Sequence, residues 1–327
     1  MHRGRKPAQQ SRSSSPPSRA AGTATATRDT PTPWDGRGQG SPAGHRFFFS
    51  LIRHCGVGAA YPFVVPACLR YALCDARAAA GISALRRRLG LRDSWLHRYP
   101  HFVSFGITLV DRVAFLQGAR SSFGYECIHE EYIARALARG RGVILLGAHT
   151  GNWEIAANLI GERVGSRVHA VMLEAEHEQL RRTWEEATSS RRFESIPLTP
   201  DGVGTTLAIM AALRGNGIVA MLGDRTLDGR SMAVPFLGSA VPFPVGPFAV
   251  AAAARTVLIP VFTHRCGPKR YRFQAFDPID FSHVSRQQRS EALAAGVRSF
   301  ARTLEELTRR YPRQWYNFYD FWGSGGG

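Results

Sequence analysis

R-G-V-I-L-L-G-A-H-T-G-N-W-E-I-A-A-N-L-I, residues 141–160, decides the fold class. Val143, Ile144, Leu145 and Leu146 form a short unbroken apolar run, the pattern of a strand buried on both faces. Gly147 breaks the run, and Ile155, Leu159 and Ile160 resume it at helical spacing. His149 to Trp153 therefore lie where a strand turns into a helix, and in open α/β sheets ligands bind at the carboxyl ends of strands. Asn152 is a good N-cap residue, and Glu154 falls in the first turn, where the helix dipole favours a carboxylate.

His149 and Glu154 carry the candidate chemistry. A turn between them can bring the carboxylate back to one imidazole nitrogen and leave the other for a substrate hydroxyl, as in a general base with an orienting acid. The spacing alone fits a structural histidine beside a capping glutamate equally well. The strand-to-helix position favours the base.

Strands and helices alternate around this stretch. Trp95 to Gly118 carries Phe102, Phe105, Leu109, Val113 and Leu116 at three- and four-residue steps and reads as a core-facing helix. A helix over 130–139 closes at Gly140 before the strand. After it come a strand over 168–173, a charged helix over 176–188, a short strand over 194–198, a helix over 205–214 and a buried strand over 218–222. Val257 to Phe262 is a further buried strand, and Tyr271 to Phe276 an edge strand. This alternation predicts an α/β fold with a mostly parallel central sheet flanked by helices.

Asp224 and Arg225 are the first polar residues beyond the 218–222 strand, in the same kind of place as His149. An arginine there suits a phosphate, a carboxylate or a developing oxyanion, because its planar fork donates in fixed directions. Asp224 either pairs with Arg225 or adds a second carboxylate near His149. Phe236, Gly238 and the apolar run 242–250 follow, as the lining of a greasy groove or as plain core.

The amino-terminal part divides in two. Residues 1–46 are rich in Ser, Pro, Ala, Thr, Gly and Arg, nearly lack large apolar residues, and read as a disordered basic tail with no secretory signal. Residues 47–96 are apolar and then arginine-rich. The uncharged run from Cys55 to Leu69 is shorter than the roughly 20 residues a spanning helix needs, which points to a helical segment lying in the membrane interface. A packed helical hairpin of the core is the alternative. Residues 97–323 then form the α/β domain.

Forty-two basic residues against 25 acidic give a net charge of +17 and point to a polyanionic partner. The tail accounts for 8 of the basic and 2 of the acidic residues, so 34 against 23 remain beyond it. The five cysteines include no C-x-x-C pair, which indicates neither a disulfide framework nor a zinc site. A serine hydrolase needs a G-x-S-x-G elbow, and nucleotide enzymes a P-loop or a G-x-G-x-x-G turn. The chain has none of these. A nucleic-acid-binding protein would explain the charge but not His149, Glu154 or the apolar segment, so no nucleic acid is expected as partner.

H-T-G-N-W-E at 149–154, G-D-R-T-L-D-G-R-S-M-A-V-P-F-L-G at 223–238 and T-V-L-I-P-V-F at 256–262, in this order, resemble the bacterial lipid A biosynthesis acyltransferases of the lysophospholipid acyltransferase superfamily. The apolar N-terminal segment and R-Q-W-Y-N-F-Y-D-F-W at 313–322 are similar too. The resemblance implies an enzyme on the cytoplasmic face of the inner membrane, peripheral or monotopic, with neither metal nor cofactor. His149 would be its base and Glu154 its partner. Asn152, Trp153, Asp224, Arg225, Phe236 and Gly238 are the expected substrate-binding residues. The donor would be an acyl-carrier-protein thioester or acyl-CoA held in a long hydrophobic groove, with acyl carrier protein as a partner, and the acceptor a glycolipid hydroxyl at an anionic membrane surface. Two features depart from the lipid A pattern. No N-L-x-x-x-F-P stretch precedes the catalytic strand, and Asp224-Arg225 stands where Asp-Gln is usual. The Asp-Arg form is closer to the branch that acylates other glycolipids, including mannosylated phosphoinositides, and H-F-V-S-F-G-I-T-L-V-D-R at 101–112 resembles proteins of aryl polyene lipid pathways.

Overall fold

A computed structural model of the chain describes residues 42–173, 193–199, 202–226 and 230–323. Most of the expected tail, the charged helix expected over 176–188 and residues 227–229 of the second block lie outside the described residues. Four helices come first: α1 (Pro42–Cys55), α2 (Val57–Cys74), α3 (Ala76–Arg88) and α4 (Trp95–Leu116). The α/β part follows as β1 (Gly124–Ile128), α5 (Glu131–Leu137), β2 (Val143–Gly147), α6 (Trp153–Val164), β3 (Val168–Leu173) and β4 (Phe193–Leu198). It continues with α7 (Val203–Arg214), β5 (Ile218–Leu222), β6 (Ser231–Phe236), β7 (Ser239–Pro244) and α8 (Gly246–Ala254). The last elements are β8 (Val257–Gly267), β9 (Arg270–Ala275), β10 (Ile279–Asp280) and α9 (Arg289–Arg310).

The main sheet runs in the order β1-β9-β8-β2-β5-β3-β4, with β10 against β8. Its pairs are parallel except β8–β9 and β10–β8, so the expected mostly parallel α/β fold is what the chain adopts. All five residues of β2 are buried, as a strand covered on both faces must be. Successive side chains point to opposite faces. Ile144 and Leu146 meet Leu258, Phe262, α9 and the β6–β7 hairpin, while Val143 and Leu145 meet Ile133 of α5, Ile160 of α6 and Ile259. Each fully buried side chain of this size contributes roughly 1.5–3 kcal/mol, so β2 is fixed from both sides.

Two expectations change, and two elements are new. The tail boundary at 46 falls inside α1, which begins at Pro42 and is held to the helical cluster by Phe48, Leu51 and Ile52. The strand over 270–275 is not an edge strand, since β1 pairs with it in parallel from Gly124↔Arg270 to Ile128↔Gln274 and takes the edge itself. The β6–β7 hairpin and α9 had no place in the sequence reading.

The apolar segment 47–73 forms most of α1 and α2. Val57, Ala60, Val64, Cys68 and Ala72 of α2 are buried at helical spacing, and α2 crosses α4 at Gly106. A Cβ on Gly106 would lie 2.6 Å from Cys68 Sγ and 2.7 Å from Val64 Cγ1, so only glycine permits this approach. Asp111 of α4, fully buried, accepts a 2.6 Å hydrogen bond from Tyr61 Oη of α2 and another from Tyr271 Oη of β9. That network ties the helical hairpin to the sheet. The opposite side of the hairpin leaves Phe47, Phe63, Val65, Leu69 and Leu73 exposed.

Candidate functional site

The sheet register builds the site. β2 and β5 are parallel neighbours with Gly147 opposite Leu222, and the Gly223 amide donates to the Gly147 carbonyl at 2.9 Å. Two residues further along each chain stand His149 and Asp224. They are 75 residues apart in sequence and adjacent in space. The His149 amide donates to Asp224 Oδ2 at 3.0 Å, and His149 Nδ1 lies 2.7 Å from Oδ1. Trp315 Nε1 gives a third bond, to Oδ2 at 3.0 Å.

Asp224 is 2% exposed. Burial alone would raise its pKa, but His149, Arg225 and the Trp315 bond outweigh burial and hold the carboxyl well below the usual carboxylate range. The carboxylate is thus ionised and can only accept, so His149 Nδ1 must carry the hydrogen, and in the neutral imidazole Nε2 is left with its lone pair. Nε2 has no hydrogen-bond partner among the described residues, and the His149 side chain keeps 20% of its surface exposed. A neutral imidazole fixed in this tautomer can take a proton from a hydroxyl, and the carboxylate behind it stabilises the imidazolium that results.

Glu154 takes another position. Asn152 accepts from the Ile155 amide at 3.3 Å and caps α6, which therefore starts at Trp153. Glu154, one residue into the helix, faces α4, and its carboxylate sits 2.7 Å from Arg112 Nε. The carboxylate expected at the imidazole from spacing along the chain is thus replaced by one from the neighbouring strand. A period counted within one loop does not register a partner brought in by sheet pairing.

The remaining candidates divide between centre and frame. Arg225 stands next to Asp224; its Nη2 donates to the Tyr316 carbonyl at 3.4 Å and its guanidinium lies 5.7 Å from the Tyr319 ring. Asn152 Nδ2 donates to the Thr108 carbonyl at 3.1 Å and so binds the loop to α4. Trp153 rests against Phe193. Phe236 belongs to the core rather than to a groove wall: fully buried, it packs edge-on against Trp315 at 5.3 Å and stacks with Trp322 at 6.2 Å. Gly238, at φ +83°, forms the β6–β7 turn with Leu237 at φ +47°. Beneath the loop, Ala148, Trp153, Leu222 and Phe262 line a void of about 40 Å³, too small to be the groove expected for a fatty chain.

The sequence reading assigned no role to the segment that closes the loop. The Tyr316 amide donates to the His149 carbonyl at 2.7 Å, the Gly151 amide donates to the Gln314 carbonyl at 2.9 Å, and Thr150 bridges Trp315. Its visible signal was the density of aromatic residues over 315–322. Gly151 is held at φ +52° with Thr263 directly above; a Cβ there would fall 1.6 Å from the Thr263 oxygen. The glycine of H-T-G-N-W-E is a packing requirement.

Residues 101–323 match the sequence profile of the bacterial lipid A biosynthesis acyltransferases, a span that begins in α4 and takes in the whole site. The chain belongs to that family. Relatives within reach of it include the phosphatidylinositol mannoside acyltransferase of Mycobacterium tuberculosis (strain ATCC 25618 / H37Rv), 25% identical over 192 residues, which cover 59% of this chain and 58% of the relative. The phosphatidylinositol mannoside acyltransferase of Mycolicibacterium smegmatis is 29% identical over 136 residues, or 42% of this chain and 44% of the relative. The chain thus spans less than two thirds of the length of the curated relatives it matches. Family membership accords with the matching blocks at 149–154 and 223–238.

Proposed function

We propose that the chain is a membrane-associated O-acyltransferase that moves a fatty acyl group from a thioester to a glycolipid hydroxyl. The observation that carries this reading is the 2.7 Å contact between His149 and a buried, ionised Asp224 in a member of an acyltransferase family. The acceptor oxygen attacks the thioester carbonyl while Nε2 of His149 takes its proton. Collapse of the tetrahedral intermediate breaks the carbon–sulfur bond, and the imidazolium returns the proton to the leaving thiolate. An ester and a free thiol result. Asp224 supports the imidazolium, Arg225 stands where it can meet the developing oxyanion or an anionic part of a substrate, and Glu154 with Arg112 keeps α6 in place against α4.

A phosphoglycolipid acceptor is favoured over lipid A. Asp224-Arg225 departs from the lipid A pattern, and the relatives quoted above act, by name, on a phosphatidylinositol mannoside. Acyl carrier protein is the proposed donor carrier, because it is acidic and this chain keeps a basic excess outside the tail. Membrane association is assigned to α1 and α2. By length and composition α2 is able to cross a bilayer, but its Gly106 crossing and the Tyr61–Asp111 bond support a helix lying in the interface of the cytoplasmic leaflet.

The test incubates purified protein with a labelled acyl thioester and extracted membrane lipids, alongside His149→Ala. One lipid should gain one acyl chain with the native protein and none with the variant. Equal labelling by both proteins refutes the reading.

A further inference from the structure

A cavity near the site plays no part in the proton transfer just described. It measures about 670 Å³, lies between α2, α4 and the turn after α9, and falls within the roughly 300–1,000 Å³ typical of small-ligand sites. One wall is apolar, built from Val65 of α2 with Tyr99, Val103 and Ile107 of α4. At the other end stand Arg265 and Arg313. Among the described residues neither arginine has a carboxylate within ion-pair distance, unlike Arg112, Arg139, Arg163 and Arg272. Asp111, buried in α4, interacts electrostatically with Arg265 but takes its hydrogen bonds from Tyr61 and Tyr271.

The polar end is held in shape. Gln314 forms two 2.8 Å bonds with the backbone of Arg265, accepting from its amide through Oε1 and donating to its carbonyl through Nε2. The floor is Ser104, bonded to the Tyr316 hydroxyl at 3.3 Å. The apolar end is open: Val65 is 46% exposed and adjoins the exposed Phe63 and Leu69. An apolar trough that leads from two guanidinium groups without an ion pair among the described residues to an exposed apolar helix face fits a molecule with one negative charge and a hydrocarbon tail. The trough lies on the β8 side of β2 and Asp224 on the β5 side; Gln314 joins the two, its side chain holding Arg265 while its carbonyl accepts from the Gly151 amide.

We propose that this trough is an accessory site for an anionic membrane phospholipid. The phosphate sits between Arg265 and Arg313 and one acyl chain runs along Val103 and Ile107 toward α2. For its ligand source the inference rests on the proposed membrane association, and it does not depend on the acyl-transfer reading.

Binding to the full chain in neutral detergent is measured by titration calorimetry, with lysophosphatidylglycerol, lysophosphatidylcholine and inorganic phosphate as separate probes. Saturable binding of one lysophosphatidylglycerol per chain is expected, with at least tenfold weaker binding of the zwitterionic lipid and of phosphate. Arg265→Gln with Arg313→Gln should weaken lysophosphatidylglycerol binding at least tenfold, and Val103→Trp, which fills the trough, should remove it, while His149→Ala should bind as the native protein does. A melting temperature within 2–3 °C of native, about 1 kcal/mol or less for a chain of this size, certifies each variant as folded. No binding, binding indifferent to these substitutions, or equal affinity for the zwitterionic lipid or for phosphate alone would overturn the proposal. Loss of acyl transfer in any arm bears on the enzyme reading and leaves this one intact.

Discussion

Replacing Asp224 by asparagine separates the two carboxylates more sharply than any other substitution. Asp224 accepts three hydrogen bonds, from the His149 amide, His149 Nδ1 and Trp315 Nε1. An asparagine there has one acceptor oxygen and one amino group. With its oxygen toward Nδ1, the amino group faces two N–H donors and three bonds become one. With its oxygen toward the amide and the indole, the amino group donates to Nδ1 and all three bonds survive. The second arrangement wins, and it forces the hydrogen onto Nε2, the atom proposed to take the substrate proton. General-base assistance is typically worth ~10²- to 10⁴-fold, and a wrong tautomer costs about 10⁴-fold in the hydrolase triad. Asp224→Asn should therefore lower kcat by about 10³- to 10⁴-fold, equivalent to about 4–5.5 kcal/mol of barrier, and leave the melting temperature close to native. Glu154→Gln should do the reverse. It loses the pair with Arg112 at a stability cost of roughly 1–3 kcal/mol and keeps most of its turnover. Steady-state acyl transfer with the donor saturating decides between them. An Asp224→Asn enzyme within threefold of native kcat, beside a Glu154→Gln enzyme down a thousandfold, would refute the assignment.

Gly151→Ala should leave little folded protein at ordinary growth temperature, because the new Cβ collides with the Thr263 carbonyl at a backbone angle that alanine disfavours; recovery of native yield and melting temperature would contradict the packing described. Stability should fall as pH drops from 6.5 toward 4. Burial keeps His101 and His264 neutral and lowers their pKa values to about 4 and about 3, so below pH 6.5 the unfolded chain binds protons that the folded chain does not. Each imidazole costs up to about 2 kcal/mol at pH 5, and His264→Phe, which retains the stack on Tyr311, should remove about half of the slope seen in chemical denaturation. Phe63→Glu with Leu69→Glu, both on the exposed side of α2, should shift the protein from membrane to soluble fraction without loss of fold; unchanged sedimentation with vesicles would exclude that face as the contact.

The sequence made the α/β alternation legible because β2 and β5 are continuous apolar runs and the helices between them carry clean periodicity. It also located His149 and Asp224 as the first polar residues beyond two buried strands. What it could not supply was their adjacency, since strand order is a long-range property and β5 joins β2 only after β3 and β4 have been laid outside it. β1 escaped notice because G-Y-E-C-I lacks both alternation and a continuous apolar run, and it is an edge strand with no fully buried residue. Phe236 was legible as apolar, but a groove wall and a core position demand the same side chain. Only the ring contacts with Trp315 and Trp322 distinguish them.

The order in which the centre is closed has a consequence for synthesis. The ribosome delivers His149 first, Asp224 after 75 further residues, and Trp315 another 91 residues later. α1 and α2 emerge well before any of them. The helical hairpin can therefore be complete while Asp224 still lacks the indole donor and the His149 loop still lacks the Tyr316 amide. The His149–Asp224 pair is complete only once Trp315 and Tyr316 have left the ribosomal tunnel, and any product terminated upstream of them carries the histidine and the aspartate without the segment that braces them.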